Sequence, residues 1–460
     1  MKIKVTFLVM IFSAVSPLFS QDALSAYIHT GLENNLSMQQ QSFSLLTSLC
    51  SLRRARGMFL PSISIEARYT RAGGGRVIEF PVGDLMNPVY QTLNQLLSSQ
   101  GMTPLFPDYL PNETIPFLRE KEHETKVRFV QPLFQPALMF NYSIQKRLHL
   151  IQKASKTVFA RQLVSDIKTA YFNYLKTIQI EDLLDTTALL LKENLRVNQS
   201  LYRNGKATQA SVSRARSDIF ELEQNRAEAQ KNMSVARSYF NFLLNRPLDT
   251  PIDTTGIPAV HKHFSVNPGL CSAALENREE LFQMKQAIDI SQKQIGLSRT
   301  AFLPSVTAVA DWGYQGESYS FTPRDDYWMA SLVVSWNLFN GFQDRNKTRQ
   351  ASLIKHEQEL QFEELKNKIV LQVKQAQQNL LVACRSLAAA KSRRSSARKT
   401  FSIVNRKFRE GIAPQLEYLD ARTTMTRAEI NAIVSEYNVH IKVAELERVT
   451  ASYLFSAQNQ

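Results

Sequence analysis

Two stretches of this chain, 137–204 and 342–410, contain neither glycine nor proline. Those two residue types penalise a helix interior most, so runs of this length favour helix. At 1.5 Å per residue each run makes an arm about 100 Å long, far beyond the helices of an ordinary globular domain. Each run ends near a glycine, Gly205 or Gly411, and a second unbroken run follows, 206–246 and 415–460. Ile167, Tyr171, Tyr174 and Ile178 recur at helical spacing in the first arm. Phe362, Leu365, Ile369, Val373, Ala376, Leu380, Ala383 and Leu387 do so in the second. Both series predict one packing seam per arm.

Elsewhere the apolar period changes to two, the period of a strand with unlike faces. Over 59–71, Ile63, Ile65, Ala67 and Tyr69 share one face and Ser64, Glu66 and Arg68 the other. Over 302–315, Val306, Ala308, Ala310, Trp312 and Tyr314 share a face, and over 327–339 so do Trp328, Ala330, Leu332, Val334, Trp336 and Leu338. The segment 125–136 is a weaker strand because Pro132 interrupts it. Trp328 and Trp336 bracket an apolar strip of about 26 Å, at ~3.3 Å per residue. With Trp312 they predict a lipid-facing aromatic rim; a sandwich strand with buried tryptophans is the alternative. Helical pattern is expected over 22–56 and 270–301. The segment 72–124, with Gly73, Gly74, Gly75 and six prolines, is expected to be an irregular loop with a short helix near 90–99.

The first 20 residues have the form of an export signal, with Lys2 and Lys4 before the apolar stretch Val5 to Val15. Beyond them no run of 18 apolar residues occurs, so no transmembrane helix is predicted. An exported chain of this kind spans a membrane only as a barrel. The net charge of +14 is spread along polar helix faces, a solvated surface rather than a nucleic-acid site. Cys50, Cys271 and Cys384 have no metal or redox spacing and are expected to pack between helices. His261 and His263 form a pair without further ligands, so no metal and no cofactor is expected. Phosphate-loop, nucleophile-elbow and zinc-protease motifs are missing, which argues against an enzyme.

The chain also repeats itself. Phe59-Leu60-Pro61-Ser62 recurs as Phe302-Leu303-Pro304-Ser305, and Leu133-Phe134 as Leu338-Phe339. Arg203, Gly205, Ala215 and Arg216 recur as Arg409, Gly411, Ala421 and Arg422. From Phe134 to Gly205 is 71 residues and from Phe339 to Gly411 is 72, so the two arms match in length. This predicts two structural repeats, 21–252 and 271–450, joined by a linker at 253–270 and followed by a tail at 451–460. Each reads helix, two strands, long helix, tight turn, helix. The expected fold is mixed α and β, mostly α. A long helical coiled-coil barrel continues a transmembrane β-barrel to which each chain gives four strands. Barrels of this kind begin at about eight strands, so copies of the chain must close the sheet.

The signal, the paired FLPS strands, the glycine-free arms and the two turns, 202–216 and 408–422, together resemble the TolC-type outer-membrane efflux proteins. That resemblance implies a homotrimer in outer-membrane lipid, extending into the periplasm. It implies partnership with a periplasmic adaptor and an inner-membrane transporter, exporting small molecules or proteins. It places the two turns at the periplasmic tip, with Arg203, Gly205, Arg409 and Gly411 as adaptor contacts. The family's acidic aperture residues match Glu417 and Asp420, which three-residue spacing puts on one helix face. It also implies a girdle at 247–268 and the tail. Ala413 stands where some relatives carry a basic latch residue, Val212 to Ala215 holds no acid, and 72–124 is longer than in the best-known members, an extracellular loop fit to cap the barrel. On the residues alone, an exported coiled-coil or adhesin-like protein without channel activity remains the other reading.

Overall fold

The computed structural model describes residues 23–255, 267–453 and 455. The residues divide into two compact units, each assembled from both halves of the chain. The signal segment and His261 and His263 lie outside the described residues. Among the described residues no helix is long and apolar enough to cross a membrane.

The first unit (1–50, 146–292 and 352–460) is helical. It draws on α1 (Ala23–Asn34), α2 (Leu36–Gly57), α4 (Pro136–Arg203), α5 (Gln209–Leu243), α6 (Gly269–Asn277), α7 (Glu279–Arg299), α8 (Gln343–Arg409) and α9 (Gln415–Thr450). The predicted seams are its cores. Ile167 and Tyr171 pack fully buried with Leu24, Ile28, Phe240, Leu244 and Tyr437. Gly31 is where α1 comes closest to α4, since a Cβ there would stand 2.4 Å from Ile167 Cδ1. In the second core, Ile369, Val373, Ala376 and Leu380 pack on Ala274, Leu281, Val439 and Leu446. Cys271 and Cys384 border this core, but Cys50 is exposed, contrary to expectation.

Two helices expected as single runs are broken by side-chain chemistry. Asn35 interrupts 22–56: its Oδ1 accepts from Met38 N at 3.0 Å and its Nδ2 donates to Leu243 O at 2.8 Å. The first bond caps α2; the second ties the break to the end of α5. Arg278 interrupts 270–301, with its guanidinium turned to Glu280 and, at 2.6 Å, to Gln372. Buried Asn241 fastens the start of the proline-rich break through bonds to Leu248 O and Thr250 O.

The second unit (51–145 and 293–351) carries the sheet. Its four antiparallel strands are β1 (Ser62–Arg71), β4 (Lys121–Phe134), β5 (Ser305–Gly316) and β6 (Asp326–Ser335), in the order β1-β4-β5-β6. The period-two reading of these segments holds. Ile65, Val127, Trp312 and Trp328 stand opposite one another in one row across the sheet. Several ends differ from expectation, and β1, like β5, starts three residues late, at Ser62. β4 starts earlier and absorbs Pro132 in a bulge. β6 ends at Ser335, so Trp336 lies beyond the strand, where its Nε1 donates to Phe302 O at 3.1 Å. Phe302 itself lies in a short 3₁₀ turn ahead of β5.

The segment 72–124 is a folded module, not an irregular loop. It holds a two-stranded ribbon, β2 (Val77–Phe80) with β3 (Glu113–Pro116), and an 18-residue helix, α3 (Val82–Ser99). Three asparagines bind α3 to the loop that leads to β3: Asn87 to Leu110 and Asn94 to Phe106, each in both directions, and Asn112 to Asp84. Tyr90 stacks on Phe106 at 5.2 Å.

Two predictions follow from the packing. Gly313 is where β5 crosses Lys126, and a Cβ there would meet Thr125 O at 2.2 Å and Lys126 Cα at 2.6 Å. Gly313→Ala should therefore cost about 2–4 kcal/mol and lower the refolding yield, while Gly73→Ala, with open space around it, should not. His440 is buried and stacked on Phe172 at 4.6 Å. Burial lowers its pKa, against an opposing pull from Glu436. As pH falls through its unfolded value near 6.5, the unfolded chain takes the proton first and stability drops. His440→Phe should flatten the melting temperature's dependence on pH just below 6.5.

Candidate functional site

Tight turns at the ends of the two arms form the first part of the site, and both are built alike. α4 ends at Arg203 and Gly205 takes φ +69°; α8 ends at Arg409 and Gly411 takes φ +76°. Gly205 N–H donates to Tyr202 O and Lys206 N–H to Leu201 O, at 3.0 and 2.8 Å. Gly411 N–H donates to Phe408 O and Ile412 N–H to Lys407 O, at the same distances. This is the glycine-ended helix cap; a Cβ would find space at either glycine, so the left-handed backbone alone selects the residue. The outgoing helices start differently. Thr208 caps α5 by accepting from Ser211 N, while Pro414 opens α9 without a side-chain bond.

The second turn has its own apolar core. Phe408 stacks on Tyr418 at 4.7 Å, and Phe401, Val404, Ala413 and Leu419 close around them against Leu190 and Val197. Burial pushes the Tyr418 hydroxyl up, opposed by Arg422 and Arg409. Ala413 is buried in this cluster. Glu417 and Asp420 both point away from the cluster and are exposed. Among the described residues neither makes an ion pair. Arg203 and Arg409 are exposed as well, and Arg409 lies close enough to Glu193 to favour its carboxylate after Arg196.

The two turns are tied to each other. Gln415 Nε2 donates to Ser211 O at 3.0 Å, and Arg422 Nη1 stands 3.5 Å from Asp218 Oδ2. Burial raises the Asp218 pKa more than Arg422 lowers it. A groove of about 360 Å³ runs beside this pair, with Glu221, Glu228 and Arg427 on its rim. Arg422 was legible as part of a repeated motif. Asp218, its partner from the other arm, carried no signal of its own.

In the sheet, the rows alternate between two chemistries. One face bears Ile63, Ile65, Trp312, Trp328, Leu332 and Val334, all exposed, with Ile65 at 76% and Trp328 at 77%. The opposite face is an ionic lattice. Arg128 forks onto Asp311 at 2.9 and 2.8 Å and reaches Glu66 at 3.2 Å. Lys126 and the Tyr327 hydroxyl both donate to Glu124, at 2.9 and 2.6 Å. Asp311 is 2% exposed. The arrangement differs from a soluble sheet: the apolar side is uncovered, and the charges of the other side are paired with one another around buried Asp311.

Long helices that end in paired turns, and a sheet whose apolar face is uncovered, are the features set against known proteins. Residues 270–452 match the outer membrane efflux protein family. The solvent efflux pump outer membrane protein SrpC of Pseudomonas putida is 21% identical over 262 residues, 56% of either chain. The alkaline protease secretion protein AprF of Pseudomonas aeruginosa is 20% identical over 329 residues, 68% of this chain and 66% of its own. The chain thus spans just over half of SrpC and about two thirds of AprF. The Campylobacter jejuni CmeC outer membrane channel shares the fold over 94% of this chain and 86% of its own, at 14% identity and a TM-score of 0.75. The chain is therefore similar to the TolC-type outer-membrane efflux proteins, in sequence over its second half and in fold over nearly all its length.

Arg422 and Asp218 are 11% and 14% exposed at their side chains. Arg422→Ala leaves a carboxylate enclosed without its partner and should lower stability by roughly 3 kcal/mol. The double variant with Asp218→Asn should recover much of that loss in thermal unfolding.

Proposed function

We propose that this protein is the outer-membrane exit duct of a tripartite efflux or type I secretion system. Three copies close one twelve-stranded barrel, and the helices of the first unit form the periplasmic conduit. The observation that carries this reading is the sheet with its apolar side uncovered. An apolar face that carries Trp312 and Trp328 paired in one row suits lipid, the ionic lattice suits a water-filled interior, and the free edges of β1 and β6 suit pairing with further copies. Such a face has no use in an exported coiled-coil or adhesin-like protein. The names of the relatives support the same reading, and the parallel build of the two turns supports an internal duplication.

The duct is passive: it conducts, and a partner pump supplies the energy. The exposed turns, with Arg203, Gly205, Arg409 and Gly411, meet the periplasmic adaptor, which links the duct to an inner-membrane transporter. Glu417 and Asp420, repeated by threefold symmetry, place six carboxylates at the mouth. Like charges so close together concentrate cations and suit multivalent ones. Only the second turn brings acids to solvent here, since Asp218 on the first arm is occupied by Arg422.

Single-channel recording tests this. A trivalent cation added from the periplasmic side should block the wild-type current, and Glu417→Ala with Asp420→Ala should raise the half-blocking concentration about tenfold or more. Unchanged block in the double variant would place the aperture elsewhere.

A further inference from the structure

Where α2 hands over to β1, an open cavity of about 620 Å³ is lined by Arg53, Arg56, Gly57, Phe59, Leu60 and Tyr142. Arg53 and Arg56 are three residues apart and share one helix face. Both are exposed, and among the described residues neither has an ion pair or a hydrogen-bonded partner. The surrounding sequence explains why: no Asp or Glu occurs from 34 to 65 or from 125 to 165. Two cations are therefore presented to a cavity whose lining, among the described residues, holds no counter-charge.

The rest of the lining is apolar and held in place. Phe59 meets Tyr142 edge to face, with ring centroids 6.3 Å apart. Gln131 Nε2 donates to Phe59 O at 3.0 Å, and Leu60 N to Gly57 O at 2.9 Å. Leu60 is 66% exposed, and beyond it the uncovered apolar face of β1 begins with Ile63 at 70%. The cavity thus has a cationic end on α2 and an apolar end that continues onto the lipid-facing side of the sheet.

We propose that this cavity binds an anionic glycerophospholipid of the leaflet nearest the helices, a site that rests on reading the sheet as membrane-spanning. The guanidinium groups of Arg53 and Arg56 take the phosphate, for which a planar fork of donors is suited. The Tyr142 hydroxyl supplies a further donor at the interface, where tyrosine is at home. Phe59 and Leu60 lie against the glycerol backbone and the first methylenes, and the acyl chain follows Ile63 and Ile65 along β1. The occupant is a lipid rather than a free anion because half of the lining is apolar and opens onto an apolar surface. Each copy of the chain carries one such site at the rim of the barrel, a fixed point against vertical sliding in the bilayer.

The test uses the full chain, purified in a neutral detergent and given equal amounts of phosphatidylglycerol and phosphatidylcholine, with bound lipid counted by native mass spectrometry. The wild type should favour phosphatidylglycerol about thirtyfold, the ratio that two interfacial arginines supply. Arg53→Gln with Arg56→Gln should bring the ratio close to parity with thermal unfolding unchanged. Arg54→Gln, on another side of the helix, should keep it. An unchanged ratio in the double variant overturns the proposal. Displacement of the lipid by millimolar inorganic phosphate would make this a free-phosphate site and overturns it too. The outcome is separable from the channel reading: a protein that conducts nothing but keeps the preference supports the cavity and fails the duct.

Discussion

An unpaired strand edge is the constraint on which the rest depends. β1 and β6 are the edge strands of the sheet, each presenting a row of backbone donors and acceptors with no strand partner among the described residues. In water such an edge invites aggregation, and in lipid it is untenable. The chain does not blunt its edges with a covering helix or a bulge along β1 or β6. It leaves them extended and matched in length, at ten residues each. A sheet left open in this way calls for pairing with further strands, a need that the proposed trimer would meet.

The two faces of that sheet then divide the remaining work. Rows such as Ile65–Val127–Trp312–Trp328 supply area without polarity, while the rows between them are cross-linked by Arg128, Asp311, Lys126 and Glu124. A lattice of opposite charges makes that face polar without a large net field. In the proposed duct, selection by charge would then fall to the exposed carboxylates of the second turn. The helical unit is built on the opposite plan, with buried apolar seams and charged outer faces. Its ion pairs, such as Arg161 forking onto Glu279 and Lys168 onto Glu447, join helices from distant parts of the chain.

Much of this was legible in the amino-acid order because it rests on periodicity. The arms, their seam from Ile369 to Leu387, and the alternation of four strands are all local patterns, and the structure places them as read. What escaped notice depends on side chains that act across long separations or against local propensity. Asn35 and Arg278 end helices by reaching to Leu243 and Gln372; Asn35 is a cap-forming residue type whose signal was passed over, while Arg278 carries none. The module at 72–124 is held by asparagine bridges and tolerates Pro88 inside a helix, so its many turn-forming residues read as a loop. Trp336 kept the alternating pattern but left the strand to bond Phe302 O. At the tip, the repeated turn was visible, whereas the pairing of Asp218 with Arg422 joins residues more than two hundred positions apart.

That pairing has a mechanical consequence. The bond from Gln415 to Ser211 and the contact between Arg422 and Asp218 fasten the two hairpins of one subunit to each other, one bond at the turn and one a helical turn or two above it. Hairpins latched in this way move as a single lever. In the proposed trimer, widening of the mouth would then fall on the seams between neighbours, and the stiffness of each lever would set how far a pull on one tip is shared by the other.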